Sequence, residues 1–360
     1  MSRVVYLHIG APKTGTTYLQ DRLARNAELL ASHGVTVPTK GRGVPADLFH
    51  FRAALDLLGE DWGGPPGHAV GAWDALVHKI NRSSGTVVVS HEILAPARPE
   101  KIIKAMNDLS GSEVHIVYSA RDLGRQIPAA WQESIKQGRR WTFAKFLEKV
   151  DAGDNWFHRA LDLPHVLNNW SSKLPPENIH VVTVPHERGG EVLWRRFCTA
   201  FGIDPAWAPL ESERTNRSLG IAETQLIREL NRRLEMGVRR QATYDNLIRE
   251  MLAEGELVNR ESLPVTLPPE RFDGIAEQAQ IWIDWITGSG VDVVGDVEEL
   301  RPRPPAPETV WHDPDLPRPD QQLDAAMDAL AAMTREAAHR TEAPSVSQAL
   351  RNRARQLRGK

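Results

Sequence analysis

Val4-Val5-Tyr6-Leu7-His8-Ile9, followed by Gly10-Ala11-Pro12-Lys13-Thr14-Gly15-Thr16-Thr17, is the stretch from which the chain is best read. The first six residues are largely apolar and read as a short strand. The next eight make a loop of small residues with one proline and one lysine. From Tyr18 onward, Leu19, Leu23, Ala27 and Leu30 recur on one face of a helix that the spacing predicts over residues 18–30. Strand, glycine-bearing loop and helix together make a phosphate cradle. Backbone N–H groups at a helix start have no internal partner, and the helix dipole is positive there. Gly15 lets the backbone approach an anion closely. Thr14, Thr16 and Thr17 offer hydroxyl donors, and Lys13 adds a full charge on a long stem. The loop is not the Gly-x-x-x-x-Gly-Lys-Ser/Thr box of nucleoside triphosphate enzymes, because Lys13 stands two residues before Gly15.

Working outward, Gly34-Val35-Thr36-Val37-Pro38 reads as a second short strand. Residues 40–71 are rich in Gly, Pro and His, with a helical piece over 48–58, and read as an irregular segment that shapes a pocket. Residues 69–80 are expected to be helical. Thr86-Val87-Val88-Val89 is a β-branched run typical of a buried parallel strand, and it ends in Ser90-His91-Glu92. A helix over 99–109 leads to a strand over 113–118, which runs into Ser119-Ala120-Arg121-Asp122. The helix that follows is expected to reach Gln137 with Pro128 in its first turn. Residues 141–170 read as mainly helical with a break over 151–155, and 179–184 as the next strand. Leu193, Phe197 and Phe201 then give an i, i+4, i+8 stripe stopped by Gly202. Helices are expected over 221–234, 243–253 and 268–286, and a last strand over 291–296. Strands alternating with helices predict an α/β fold: a central parallel sheet flanked by helices on both faces.

The domain is expected to end near Leu300, giving a first unit over 1–300. A proline-rich linker, Arg301-Pro302-Arg303-Pro304-Pro305-Ala306-Pro307, opens a connection over 301–320. Residues 321–360 would hold an amphipathic helix built on Leu323, Met327, Leu330 and Met333, then a basic tail. A chain of 360 residues with a net charge of −3 is ordinary for a globular protein, and nothing global points to nucleic acid or an anionic membrane. The single cysteine, Cys198, excludes an intramolecular disulfide and reads as a small buried group. No apolar run approaches the ~18 residues of a membrane span, and the expected compartment is the cytoplasm.

Ligands of open parallel sheets bind beyond the carboxyl ends of the strands. Three such ends carry polar residues here: the Lys13 loop, Ser90-His91-Glu92 and Arg121-Asp122. The pattern Pro12-Lys13-Thr14-Gly15-Thr16-Thr17-x-Leu19 resembles the 5′-phosphosulfate loop of sulfotransferases that use 3′-phosphoadenosine 5′-phosphosulfate (PAPS). The resemblance implies a P-loop-like fold over most of residues 1–300. It also implies in-line transfer of a sulfuryl group from PAPS to a hydroxyl or amine, without a metal. Pro12, Lys13, Thr14, Gly15, Thr16 and Thr17 would hold the 5′ side, with Lys13 stabilising the leaving phosphate. Arg121 matches the strand-end arginine that binds the 3′-phosphate. Where the family has a serine eight residues on, this sequence has Ala129, so either Gln126, Gln132 or Ser134 would supply the missing contact, or the 3′-phosphate would be held mainly by Arg121 and other residues. The general base would be Glu92 or His91. Asn216 and Ser218 match an Asn-x-Ser step found near the cofactor in bacterial relatives, while Ser218 alone also suits a helix N-cap. His8 is read as packing beneath the loop. Trp131, Trp141 and Trp170 suit core first, with an adenine platform or an acceptor wall as the alternatives. No His/Cys/Asp/Glu spacing suggests a metal site. The acceptor, whether small molecule, carbohydrate or lipid, and the oligomeric state are left open. Competing readings are a nucleoside triphosphate-dependent kinase or ATPase on the same sheet, and a non-catalytic nucleotide-binding scaffold.

Overall fold

The computed structural model describes residues 3–41, 44–153, 156–187, 189–214 and 218–342. The chain runs β1 (Val4–Gly10), α1 (Thr16–Arg25), α2 (Ala27–Ser32), β2 (Val35–Thr36), α3 (Ala46–Leu58), α4 (Ala72–Asn81) and β3 (Thr86–Ser90). Next come α5 (Pro99–Asp108), β4 (Glu113–Ala120), α6 (Leu123–Lys136), α7 (Phe143–Asp151), α8 (Trp156–Leu161), α9 (Leu163–Ser171) and β5 (Ile179–Thr183). The last part holds α10 (Gly190–Phe201), α11 (Ile221–Arg233), two short turns α12 (Met236–Arg239) and α13 (Ala242–Tyr244), and a π-helical run (Asp245–Glu256). It closes with α14 (Phe272–Ser289), β6 (Asp292–Val294) and α15 (Pro319–Glu342).

Six strands form one sheet in the order β2-β3-β1-β4-β5-β6, and every pairing is parallel. Successive side chains of a strand point to opposite faces, so each apolar run feeds two cores. Val5, Leu7, Ile9, Val87, Val89 and Ile116 pack on one side with α3, α4, α5 and α9. Val88, Val117 and Val182 pack on the other with Leu19 and Leu23 of α1 and Leu193, Phe197 and Phe201 of α10. Covering both faces is what permits an all-parallel sheet. Cys198 is buried in the second core, where burial pushes its thiol up to about 12. Trp131 and Trp170 are fully buried and Trp141 partly so. No described helix is long and apolar enough to cross a membrane.

Three local expectations are corrected. The first helix is interrupted at Asn26, whose side chain donates to Arg22 O (2.8 Å) and Leu210 O (2.8 Å) and accepts from Leu210 N (2.9 Å). Those bonds anchor a distant segment at the break between α1 and α2. Pro128 lies inside α6 and not in its first turn, because the helix begins at Leu123 behind the Asp122 cap. In α15, Leu323, Met327 and Leu330 are about 60% exposed, whereas Ala325, Ala329 and Ala332 are buried. Small residues let α15 lie close against α11, and the larger apolar stripe is turned outward. Ahead of α15, Asp315 accepts from Phe143 N and Ala144 N (2.9 Å each) and pairs with Arg228 at 2.6 Å. The expected break over 151–155 and the basic tail fall partly or wholly outside the described residues.

Candidate functional site

β1 lies between β3 and β4, so the loop after β1 emerges between the ends that carry Glu92 and Arg121. The chain builds β2 and β3 on one side of β1 and then crosses to β4 on the other. This is the switch point at which open α/β sheets leave a crevice. The sequence folds locally into a cradle there. Gly15 has φ 92°, a backbone conformation that favours glycine, and a Cβ on it would lie 2.7 Å from Leu193 Cδ2 of α10 and have to displace that methyl. Lys13 also adopts a positive φ, 66°.

The carbonyls of the loop are drawn into the protein. Ala11 O accepts from Thr14 Oγ1 (2.6 Å), Pro12 O from Gln126 Nε2 (2.7 Å) and Lys13 O from Arg121 Nη1 (2.9 Å). Beneath them Ser119 Oγ donates to Gly10 O (3.0 Å) and lies 2.5 Å from Thr14 Oγ1. His8 completes this floor, with Nε2 3.1 Å from Ser119 Oγ and Nδ1 2.7 Å from Ser90 Oγ. Burial pushes its imidazole down to about 3, against the pull of Glu92, so the ring is neutral. Thr14 and Thr16 are buried and Thr17 is exposed. Among the described residues no side chain caps the start of α1, and its first turn holds no acid. A helix N-terminus left in this state is suited to an anion.

Lys13 Nζ lies 2.9 Å from Glu133 Oε2 of α6. The same oxygen receives Lys136 Nζ at 2.8 Å, and the other carboxylate oxygen faces Arg249 Nη2 at 3.4 Å and Gln137 Nε2 at 3.3 Å. Burial opposes ionisation of Glu133, but Lys13, Lys136 and Arg249 outweigh it and hold the carboxyl well below the usual range. Burial pushes the Lys13 ammonium down from its ordinary value, and Glu133 works against that. Arg249 comes from the π-helical run, a geometry that often marks functional positions.

Glu92 follows β3 and backs directly onto the loop: a Cβ on Gly10 would be 3.3 Å from Glu92 Cα. Its Oε2 lies 3.4 Å from Gln20 Nε2 of α1 and 3.7 Å from His91 Nδ1. Burial disfavours the Glu92 carboxylate, but His91, a backbone N–H, Arg249 and Lys13 lower its pKa below the ordinary carboxyl range. It is therefore ionised at neutral pH. His91 caps the turn Glu92–Leu94 by accepting from Ile93 N with Nδ1 (3.3 Å). Burial, aided by Arg249, lowers its pKa against Glu92 and Asp47, so the ring is neutral.

Among the described residues Arg121 makes no ion pair and its buried Nε has no partner. Burial, then Arg125, push the guanidinium down to about 10 against Asp122, and it remains a cation at neutral pH. Asp122 turns instead to Arg125, whose N–H it caps at 3.0 Å and whose Nε it also accepts. Of the replacements expected near Ala129, none is free. Gln126 holds Pro12 O, Gln132 donates to Leu219 O (2.5 Å), and Ser134 Oγ donates to Trp131 O (2.7 Å) inside α6. Ser218 is exposed and stands two residues before Gly220, which caps α11, so the N-cap alternative does not hold. Asn216 lies outside the described residues. Thus the fold brings Pro12, Lys13, Thr14, Gly15, Thr16, Thr17, Glu92, His91 and Arg121 to the carboxyl ends of β1, β3 and β4, while Gln126 holds the loop through Pro12 O and Ser134 is buried and bonded within α6. Glu133, Arg249 and Gln20 were not singled out in the sequence; none sits in a recognisable motif, and Glu133 meets Lys13 across 120 positions. Among the described residues no group of three His, Cys, Asp or Glu stands where it could hold a metal ion.

No protein-family model matches the chain, and no curated protein matches it. Among solved structures, the crystal structure of a sulfotransferase from Alicyclobacillus acidocaldarius is similar at 12% identity, covering 67% of this chain and 100% of its own, with a TM-score of 0.37.

Proposed function

We propose that the chain is a sulfotransferase that moves a sulfuryl group from PAPS to a hydroxyl or amine acceptor. The observation that carries this is the uncapped, acid-free start of α1, set with Lys13 between an ionised Glu92 and a half-buried Arg121 that has no ion pair among the described residues. The donor fits these residues: Lys13, Gly15, Thr16 and Thr17 on the 5′ side, and Arg121 with its orphaned Nε toward the 3′-phosphate. The donor, when bound, supplies the activated sulfuryl group. Lys13 and the N–H groups at the start of α1 stabilise negative charge on the oxygen that leaves with the phosphate, as in other oxyanion sites. Glu92 takes the acceptor's proton. It is preferred to His91 because it faces the loop, is ionised at neutral pH, and has no hydrogen bond that chain folding requires, whereas His91 Nδ1 accepts Ile93 N–H. Arg121 distinguishes a 3′-phosphorylated nucleotide from ATP.

Titration calorimetry with adenosine 3′,5′-bisphosphate, ATP and ADP, each with and without Mg²⁺, tests the donor. Selective binding of the bisphosphate without metal is expected, and a preference for Mg–ATP would sink the proposal in favour of a kinase or ATPase. With labelled PAPS and an acceptor found by screening, Glu92→Gln should lower the transfer rate by roughly 10²–10⁴ while bisphosphate affinity is kept. If Glu92→Gln is fully active and His91→Ala is inactive, the base is His91.

A further inference from the structure

We propose that Glu133 is a parking site for Lys13: the ammonium rests on this carboxylate while the cradle is empty and passes to the incoming anion when the donor enters. This deepens the sulfotransferase proposal and rests on it for the identity of the anion. The geometry favours an exchange over a permanent pair. Glu133 Oε2 is shared by Lys13 (2.9 Å) and Lys136 (2.8 Å), and Oε1 is served by Arg249 (3.4 Å) and Gln137 (3.3 Å). When Lys13 leaves, the buried carboxylate keeps three donors, so no uncompensated charge is stranded in the interior. Had Lys13 been its only partner, departure would have been prohibitive. The Lys13 side chain is 30% exposed, against 11% for Lys136, so of the two lysines Lys13 has the freer path. Its backbone is fixed by Arg121 through Lys13 O (2.9 Å), which leaves side-chain rotation as the available motion.

The remaining partners show where the exchange is felt. Lys136 also binds Glu254 (2.6 Å), and Arg249 lies 3.7 Å from the same carboxylate. Both Arg249 and Glu254 belong to the run Asp245–Glu256, so that segment takes over Glu133 when Lys13 departs. In the empty state Glu133 cancels much of the charge that Lys13 would show to a passing anion. A ligand that also engages Arg121 can displace the carboxylate, and a simple phosphate competes poorly.

The test follows Lys13 itself. Trace acylation with acetic anhydride, read at Lys13 by mass spectrometry, reports how well its proton is held. Glu133→Gln should raise Lys13 labelling by about tenfold, the effect of one pKa unit. Adenosine 3′,5′-bisphosphate should suppress labelling in both proteins. In calorimetry Glu133→Gln should bind the bisphosphate more tightly, and most of the gain should vanish in a Lys13→Met background. Unchanged labelling overturns the proposal. So does a gain of equal size with and without Lys13, which would mean Glu133 acts only through its distant field. If Glu133→Gln does not fold, Glu133→Asp gives the same readout, because it keeps the charge for Lys136 and Arg249 and shortens the reach to Lys13. Inorganic pyrophosphate is run in parallel. If it protects Lys13 and the bisphosphate does not, the exchange stands and the PAPS donor falls. If neither protects Lys13, the exchange itself is overturned.

Discussion

Two helices start side by side beyond the sheet, α1 after β1 and α6 after β4, and they are finished in opposite ways. The start of α6 is closed: Asp122 accepts from Arg125 N–H and binds the Arg125 guanidinium, which also reaches Val184 O, Pro185 O and His186 O. The start of α1 is open: Gly15 offers no cap, no acid stands in the first turn, and the loop carbonyls accept from Thr14, Gln126 and Arg121. A helix that supplies its own counter-charge has satisfied its N–H groups and has nothing left for a ligand. A helix whose surroundings satisfy every group except those N–H donors is prepared for an anion from outside. The two starts therefore divide the labour, with α6 as the wall and α1 as the cradle.

Of changes at the two helix starts, the largest effect should come from removing the cation of the open one. Lys13→Ala is expected to lower sulfuryl transfer by ~10²–10³ with the far-ultraviolet circular dichroism unchanged. Activity within a factor of two of the parent would break the assignment. The sharper experiment makes α1 resemble α6. Thr17 is exposed in the first turn, so Thr17→Glu introduces the acid that nature omitted. Calorimetry should show bisphosphate affinity falling by at least roughly tenfold, from like-charge repulsion at close range. Thermal stability should hold or rise slightly, because an acid suits the helix dipole. Loss of stability together with binding would show that the open start is a folding defect and not a site.

Acid offers a third test, through the floor of the cradle. His8 is pushed down to about 3 and His50 to about 4 by burial, against 6.5 ordinarily. The unfolded chain therefore takes up more protons than the folded one below about pH 6.5. The stability these neutral rings represent is complete above that pH and is lost as pH falls toward 4 and then 3. The slope is up to about 1.4 kcal/mol per pH unit for each ring. Urea midpoints measured between pH 7 and 4.5 should fall, and His8→Gln with His50→Gln should flatten the curve. The smallest effect belongs to the closed start: Asp122→Ala should cost about 1 kcal/mol in chemical denaturation through loss of the cap. A change below a few tenths would show that α6 is held by its packing alone.

Much of the layout could be read from local pattern. The strands are continuous β-branched or apolar runs, and the loop combines glycine, lysine and threonines within eight residues, so both signals lie within a short window. Helix faces were less secure. In α15 the larger apolar residues suggested a buried stripe through Leu323, Met327 and Leu330, yet the alanine face is inside. Hydrophobic size predicts burial only when there is room, and close helix contact selects for small residues. The replacements proposed near Ala129 show a similar limit. Gln126, Gln132 and Ser134 have suitable chemistry, but each is already engaged by a backbone carbonyl. A sequence lists donors without showing which of them are occupied.

What the sequence determined by itself was the alternation of strand and helix and the lysine-bearing loop at the first turn. These depend on neighbours in the chain, through periodicity, glycine conformational freedom and the helix N-terminus. The tertiary structure alone decided which groups meet that loop. The strand order sets β1 between β3 and β4, and so places Glu92 on one side and Arg121 on the other. Folding also brings Glu133 from α6 and Arg249 from the π-helical run to Lys13 and its carboxylate partner. Electrostatic interaction depends on distance through space and on burial, and neither is written in the spacing of residues along a chain.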